Sequence, residues 1–166
     1  FNSLNTIASL TREDPVLAES LTEDLAELFR ANINSSQRLI SFEQEREFTQ
    51  QYLNIEQSRL GPRLRIQWDV QAIPIDACIP PLTLQPLVEN SVYHGIELSP
   101  EGGNLIIKGS MQKQLITLVI RNPMGAESSN RTREGNNVAI ENIQLRLQSC
   151  FPDQSKVLIS SSDGFF

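Results

Sequence analysis

The chain has 166 residues, 39% of them hydrophobic and 20% charged, and its formal net charge is −6. This length and composition are ordinary for one folded domain, or for one domain with a helical extension, and are too apolar for a disordered chain. The acidic balance, with basic residues scattered along the sequence, excludes the positively charged footprint of a nucleic-acid-binding domain.

The part of the chain up to Leu60 is predicted to form three helices. A first periodic stretch is followed by Asp14 and Pro15, which are typical of an N-cap with proline in the first turn of a second helix. The second helix carries an apolar stripe with the spacing of a helix that packs on one side: Leu17, Leu21, Leu25, Leu28 and Phe29.

The third helix is predicted to begin at Ser41, where Gln44 completes a capping-box pattern, and to end at Gly61. Several charged residues lie near its start: Glu43, Glu45, Arg46 and Glu47. Acidic residues in a first turn are favoured by the helix dipole. We expect these four side chains to form a solvated face.

After Gly61 the hydrophobic pattern changes its period. Apolar and polar residues alternate over 64–70, as in a strand with one buried face. Two prolines then break the chain, and a helix is predicted over 82–94. Two β-rich runs, 104–110 and 114–121, are predicted to pair as an antiparallel hairpin.

The last part of the chain contains a polar stretch, 125–137, which is predicted to be a loop long enough to suspect a function. It leads into a predicted helix, 138–150, and a closing strand, 156–160. The mixture of helices and strands lacks regular βαβ alternation. It favours an α+β sandwich, with a mixed, mainly antiparallel sheet and helices on one face.

The two cysteines, Cys78 and Cys150, have neither the spacing nor the histidines of a zinc site. We expect them to be free, buried thiols of a reducing compartment. No apolar run approaches the roughly 20 residues of a transmembrane helix, and no signal peptide opens the sequence. The sequence therefore predicts a soluble piece of a longer protein.

The most informative run is PPLTLQPLVENSVYHGI, at 80–96. On a helix, Asn90 and His94 are an i, i+4 pair, and Glu89 and Tyr93 are another. Asparagine can offer Mg²⁺ a neutral oxygen, and glutamate can orient water near a phosphate chain. Each has a plain structural alternative: a surface Glu-Asn pair is usually only solvated, and a single histidine at a helix end is usually a cap or a packed ring.

Several runs together resemble one family. LQPLVENSVYHGI is similar to the N-box of the GHKL ATPases, and PPLTLQPLVEN is similar to the LytS branch of bacterial sensor histidine kinases. FNSLNTIASL resembles the end of the HFLFNSLN segment of that branch, and YLNIEQSRLGPRL resembles its YLxIExxRxxxRL. Within the branch, the likeness is strongest to the AlgZ/FimS type. These runs occur in the family's order and span nearly the whole chain.

The resemblance implies two parts. A helical dimerisation and phosphotransfer segment covers 1–60, and a Bergerat-type ATP-binding sandwich, the HATPase_c domain, covers 61–166 and is truncated at its C-terminus. The implied enzyme is a protein-histidine kinase of a two-component system that binds ATP and Mg²⁺. It would autophosphorylate a histidine three residues before Phe1 and pass the phosphate to a response regulator.

The resemblance also implies a setting for this enzyme. The family's response regulators suggest a LytTR-type partner, and its kinases form homodimers through their N-terminal helices, with no direct contact to nucleic acid. The implied location is the cytoplasmic domain of a bacterial inner-membrane protein. We expect the fragment alone to be inactive, because the phosphoacceptor histidine lies outside it.

The N-box likeness assigns roles to individual residues. Asn90 would be the Mg²⁺ ligand, and Glu89 would be the catalytic acid or base, or would orient the attacking group. His94 and Gly95 would close the helix end near the nucleotide. Tyr93 stands where the family often has a phosphate-contacting lysine.

The two glycine boxes are altered. Asn122 stands where the family's DxGxG aspartate accepts a hydrogen bond from adenine, and Met124 and Gly125 would continue this nucleotide contact, although neither glycine aligns in register. The third box, GxGxGLxNxxxRL, keeps one of its three glycines. Its nucleotide-binding positions are occupied here by Gly135, Asn137, Ala139 and Asn142.

These alterations support a second hypothesis, a degenerate kinase that acts as a dimeric scaffold or phosphatase-side regulator with weak or no ATP binding. A third hypothesis, a chaperone-like or gyrase-like ATPase, shares the implied fold. The FNSLN and YLNIEQSRLGPRL runs are not expected in that class.

Overall fold

The computed structural model describes residues 2–33, 37–123 and 133–161. The elements in chain order are helices α1 (Asn2–Glu13) and α2 (Pro15–Ile33), strand β1 (Ile40–Ser41), helix α3 (Phe42–Leu60), strands β2 (Leu64–Ala72) and β3 (Cys78–Ile79), helix α4 (Gln85–Ser91), strands β4 (Gly103–Gln112) and β5 (Leu115–Arg121), and helix α5 (Arg133–Cys150). A 3₁₀ turn, Gly61–Arg63, follows α3, and a π-helical turn, Val92–Ile96, extends α4.

The three predicted N-terminal helices are present as α1, α2 and α3. Asp14 caps α2 as expected, because its Oδ1 accepts a hydrogen bond from the backbone N–H of Leu17 at 3.0 Å. The helices enclose a small apolar cluster: Ile7, Ala18, Leu21, Leu28 and Ile55. Leu17 and Phe29, which the sequence placed on the apolar stripe of α2, are instead 36% and 54% exposed.

Helix α3 begins and ends where the sequence predicts. The Ser41 Oγ accepts a hydrogen bond from the N–H of Gln44 at 3.2 Å, and the Gln44 Oε1 accepts one from the N–H of Ser41 at 3.1 Å. Together they form a complete capping box. At the other end, the N–H of Gly61 donates to the carbonyl of Gln57.

Helix α3 also supplies one wall of the main core. Phe42, Leu53 and Leu60 lie in a second apolar cluster, which continues into α4 and the sheet. The remaining members of that cluster are Leu64, Val70, Ile73, Ile79, Leu84, Val88, Val92, Ile96, Leu105 and Ile107. Helix α3 therefore faces the helical segment on one side and the sheet-containing part on the other.

The three-stranded sheet has the order β2-β4-β5, and a two-stranded sheet pairs β1 with β3. Strand β2 runs parallel to β4, with Leu64 opposite Gly103, and β4 runs antiparallel to β5. The predicted hairpin is confirmed, although its turn lies at 113–114 because β4 continues to Gln112. In the described residues, helices combine with one parallel and two antiparallel strand pairings, which confirms the α+β fold class.

Two predictions at other positions are wrong. Residues 156–160 carry no regular secondary structure, and Leu158 is 77% exposed. A strand needs a neighbour for its backbone groups, and none of the strand pairings in the described ranges includes this segment. Cys78 and Cys150 are free, as expected, but Cys78 is exposed and Cys150 is only partly buried. The alternation of β3 turns Ile79 inward and Cys78 outward.

In the part of the chain that the structure describes, no helix has the length and apolar character needed to cross a bilayer.

We expect Ser41→Ala to lower the free energy of unfolding by about 1 kcal/mol, because the N–H of Gln44 loses its acceptor. Ser58→Ala is the matched control in the last turn of the same helix, where alanine has the higher helix propensity and should be neutral or slightly stabilising. Urea denaturation measures both changes. Equal stability of the two variants would contradict the role given to the capping box.

Candidate functional site

Helix α4 carries Glu89 and Asn90, and it begins later than the sequence predicts. Its first residue is Gln85 rather than Leu82, because Leu82 has a φ of 57° and so cannot lie in a right-handed helix. Its buried face consists of Leu84, Val88 and Val92, whose side chains are at most 1% exposed. The buried face points into the main core, whereas Glu89 and Asn90 are only partly buried.

The N-terminus of α4 lacks a cap of its own. Leu84 occupies the N-cap position and has no side-chain acceptor, so the N–H groups of the first turn need a partner from elsewhere. Glu45 of α3 supplies it: its Oε1 accepts from the N–H of Leu84 at 2.8 Å and of Gln85 at 3.3 Å, and its Oε2 accepts from that of Leu82 at 2.9 Å. A carboxylate from another helix thus caps α4.

This arrangement corrects the expectation of a solvated acidic face on α3. Glu45 is 1% exposed, whereas Glu47 is exposed and Glu43 pairs with Arg46 at the surface. Burial raises the pKa of Glu45, and the hydrogen bonds from the backbone of α4 and the turn before it act in the opposite direction. The periodicity of α3 turns Glu45 inward together with Phe42 and Thr49.

The other end of the α4 segment is held by two arginines of the YLNIEQSRLGPRL run. Arg59 donates to Glu97 at 2.9 Å through Nη1 and to the buried Glu56 at 2.9 Å through Nε. Arg63 donates to the backbone carbonyls of Glu97 at 3.1 Å and Ser99 at 2.8 Å. The arginines therefore tie the residues after the π-helical turn to the end of α3.

Glu89 lies half-buried on α4 near a second carboxylate. Burial raises its pKa, the hydrogen bond that Gln85 Nε2 donates to its Oε1 at 2.8 Å lowers it, and the negative charge of Glu56 raises it again. A glutamate in these surroundings retains its proton more readily than an exposed one. Chemically, it is suited to exchange a proton with a neighbouring group.

Asn90 is the neighbour of Glu89 and is partly buried. Its Nδ2 is enclosed and has no hydrogen-bond partner among the described residues. Buried amide nitrogens are normally paired, so this atom indicates a place where a partner can bind. The described residues contain no group of three or more His, Cys, Asp or Glu side chains able to hold a metal ion. A Mg²⁺ ion here would suit the usual pattern of one protein ligand together with substrate phosphates.

The π-helical turn changes the direction of the residues that follow Ser91. The N–H of Glu97 donates to the carbonyl of Val92 at 2.9 Å, five residues back. Tyr93 is 58% exposed, and its ring meets the ring of His94 edge-on at a centroid distance of 4.7 Å. Burial lowers the pKa of His94, which favours a neutral imidazole. His94 is therefore a packed ring at this turn.

Gly95 and Asn122 are brought together from distant parts of the chain. A Cβ on Gly95 would lie 2.1 Å from Asn122 Nδ2 and 2.8 Å from the carbonyl of Pro123, so only glycine fits there. Asn122 is 3% exposed; its Nδ2 donates to the carbonyl of Pro123 at 3.0 Å, while its Oδ1 is enclosed and has no partner among the described residues. The pair presents a buried acceptor suited to an amino or amide donor.

The remaining predicted nucleotide-binding residues are less completely placed. Met124 and Gly125 lie outside the described residues. Helix α5 begins at Arg133 rather than at 138, so the backbone at Gly135 and Asn137 is helical and not part of a loop; the side chain of Asn137 also lies outside the described residues. Ala139 is partly buried and Asn142 is exposed on α5.

The sequence reasoning did not identify three residues that support this site: Glu45, Arg59 and Arg146. Arg146, on α5, donates through Nη1 to the carbonyls of Pro81 and Leu82, the latter at 3.4 Å. Two of the three had a signal in the sequence, since Arg59 lies in YLNIEQSRLGPRL and Arg146 stands at the arginine of the GxGxGLxNxxxRL pattern. The pattern alone did not show which backbone groups they bind.

Comparisons with known proteins found one matching family model and several similar proteins. The family model described as histidine kinase matches residues 1–64. The Sensor protein LytS of Oceanobacillus iheyensis is 33% identical over 98% of this chain, and that of Staphylococcus saprophyticus is 30% identical over 97%. The Sensor histidine kinase/phosphatase LytS of Staphylococcus aureus is 31% identical over 99% of this chain. The matched region covers 30% of the first relative, 29% of the second and 30% of the third.

We expect the carboxyl of Glu89 to titrate above 4.5, the ordinary value of a glutamate, because burial disfavours its charge. Gln85→Met should move this pKa further upward, since it removes the hydrogen bond to the charged form. Carboxyl ¹³C chemical shifts measure both, with Glu43 as internal control, because the hydrogen bond from Arg46 lowers the pKa of Glu43.

The same shift predicts a pH dependence of stability. Because the folded-state pKa of Glu89 is the higher one, its bound proton stabilises the folded chain fully below 4.5, and this contribution is lost as the pH rises through the raised pKa. A pKa of Glu89 at or below that of exposed glutamates would contradict both the raised pKa and the pH dependence that follows from it.

Proposed function

We propose, from the premise that this chain belongs to the histidine kinase family and has LytS sensor proteins among its relatives, that it is the ATP-binding kinase core of a two-component sensor. The observation that carries the proposal is the buried, unpartnered Oδ1 of Asn122, whose side-chain amide lies against Gly95 through its Nδ2 at the end of the α4 segment. Family likeness predicted both residues for nucleotide binding, and the fold places them side by side.

Asn122 selects the base in this proposal. Its Nδ2 donates to the carbonyl of Pro123, which leaves Oδ1 as the side-chain atom that still lacks a hydrogen-bond partner. An acceptor in that position binds the amino group of adenine and not the carbonyl of guanine. The bond is neutral, so it is weaker than that of the aspartate found in the family pattern.

Asn90 and Glu89 act on the phosphate side. Asn90 offers its side-chain oxygen to Mg²⁺, and the bound ion neutralises charge on the phosphates. Glu89, with its raised pKa, can take a proton from the attacking imidazole of the upstream histidine. Most of the rate enhancement then comes from alignment and charge stabilisation, since phosphoryl transfer needs little covalent work from the protein.

The same proposal includes partners and location. A response regulator, of the LytTR type on the family resemblance, accepts the phosphate from the histidine. The helical segment forms a homodimer, which would cover apolar side chains that are exposed in one chain: Leu4, Val16 and Phe29 at 53%, 77% and 54%. The core lies on the cytoplasmic side of a membrane-anchored sensor.

We expect Asn90→Ala to abolish Mg·ATP binding to this chain, because the oxygen that holds the cation is removed. Asn104→Ala is the matched control, an exposed asparagine on β4 that accepts a hydrogen bond from Arg65 at 2.7 Å. Isothermal titration calorimetry with Mg·ATP compares the two variants with the unaltered chain. An affinity unchanged by Asn90→Ala would overturn the role given to Asn90.

A second candidate function is a scaffold or phosphatase-side regulator that binds ATP weakly or not at all. The specific observation in its favour is that α5 already includes Gly135 and Asn137, where the family has a glycine-rich loop. The exposed Tyr93, in place of a phosphate-binding lysine, supports the same reading.

Labelled ATP distinguishes the two candidates in the natural chain that includes the residues before Phe1. The kinase proposal predicts an acid-labile, alkali-stable label on the upstream histidine, and substitution of that histidine by glutamine should remove the label. A chain that binds its response regulator but takes up no label would support the scaffold.

A further inference from the structure

The turn before α4 is held from opposite sides by two helices that are distant in sequence. On one side, Glu45 of α3 accepts hydrogen bonds from the N–H groups of Leu82, Leu84 and Gln85. On the other side, Arg146 of α5 donates to the carbonyls of Pro81 and Leu82. Leu82 is thus bound at both its N–H and its C=O.

The backbone of this turn requires such support. Leu82 has a φ of 57°, a left-handed conformation that a bulky residue without a compensating contact rarely adopts. Within the turn, the hydroxyl of Thr83 donates to the carbonyl of Pro80 at 2.6 Å. The strained conformation persists only where the surroundings determine it, and here Glu45 and Arg146 provide those surroundings.

The position of the turn decides where the candidate site residues lie. Leu84 is the N-cap of α4, and its carbonyl accepts the first helical hydrogen bond, from the N–H of Val88 at 3.1 Å. Glu89 and Asn90 follow Leu84 by five and six residues, in the second turn of α4. On α5, Asn142 precedes Arg146 by one helical turn, so the contact of Arg146 joins the two helices that carry the predicted nucleotide contacts.

We propose that Glu45 and Arg146 are positioning residues of the candidate nucleotide site, which hold the turn 80–84 from opposite sides and so fix Glu89 and Asn90 relative to α5. This inference rests on the proposed function, because it concerns the same site. Neither side chain needs to contact the nucleotide. Loss of either contact lets Leu82 relax, which moves the start of α4, and with it Glu89 and Asn90, relative to α5.

Arg146→Met tests the inference, because methionine keeps much of the length of the side chain and has no donor. Arg38→Met is the matched control. Arg38 donates to the carbonyl of Ser149 at 2.7 Å, and Ser149 lies on α5, as Arg146 does, but away from the turn. We expect Arg146→Met to bind Mg·ATP about tenfold more weakly than the unaltered chain, and Arg38→Met to bind it equally well. Arg146→Lys should restore most of the affinity, because lysine can still donate to one carbonyl.

A second measurement needs no nucleotide. Amide hydrogen exchange, followed by NMR in the full 166-residue chain, should become about tenfold faster at Leu82, Leu84 and Gln85 in Arg146→Met and remain unchanged there in Arg38→Met. Both measurements are made at a temperature well below the midpoint of thermal unfolding of each variant. Exchange rates and affinities that are the same in the two variants would overturn the inference.

The two measurements separate this inference from the proposed function. If the unaltered chain binds no Mg·ATP, the proposed function fails, and the exchange rates at Leu82, Leu84 and Gln85 still decide whether Arg146 holds the turn. If the chain binds Mg·ATP, faster exchange with unchanged affinity would show that the turn does not position the site.

Discussion

The buried carboxylate of Glu45 joins the helical segment to the helix that carries Glu89 and Asn90. Removing a charge from water is costly unless several hydrogen bonds compensate for it. Here the carboxylate accepts hydrogen bonds from backbone N–H groups at the start of α4. These groups have no acceptor from the helix itself, because the N-cap residue Leu84 has no polar side chain; Pro86, in the same turn, has no N–H to satisfy. Hydrogen bonds to charged groups contribute roughly 1.5–3 kcal/mol each. The same contact therefore satisfies both the acid and the helix end.

Helix α3 controls both ends of the α4 segment. Glu45, near its start, holds the beginning of α4, while Arg59, near its end, holds Glu97 beyond the π-helical turn. Because α3 also packs against α1 and α2, the helices of the proposed dimer and the proposed nucleotide site share one rigid element. A shift of α3 would reach Glu89 and Asn90 through charged hydrogen bonds at both ends. This arrangement gives a physical reason for the YLNIEQSRLGPRL run.

Much of the candidate site was predictable as a set of residues, and less of it as a geometry. The likeness of LQPLVENSVYHGI to an N-box suggested Asn90 and Gly95, and the position of the family's DxGxG aspartate suggested Asn122. That Gly95 leaves room for Asn122 follows from the packing of the π-helical turn against the end of β5, which no local pattern encodes. The late start of α4 was likewise missed, because the left-handed Leu82 is imposed by contacts from α3 and α5.

By itself the sequence determined the features that depend on neighbours along the chain. The cap of α2 at Asp14, the capping box at Ser41 and the alternation of β2 all follow from residues within a few positions of each other. The tertiary structure alone decided which polar groups are buried. Glu45 and Glu47 are the same residue type on one helix; Glu45 lies on its inward face, and the distant N–H groups of the 80–84 turn and α4 provide the partners that allow it to be buried. The reason is physical: a helix pattern records which face a side chain occupies, whereas its partner is set by the fold.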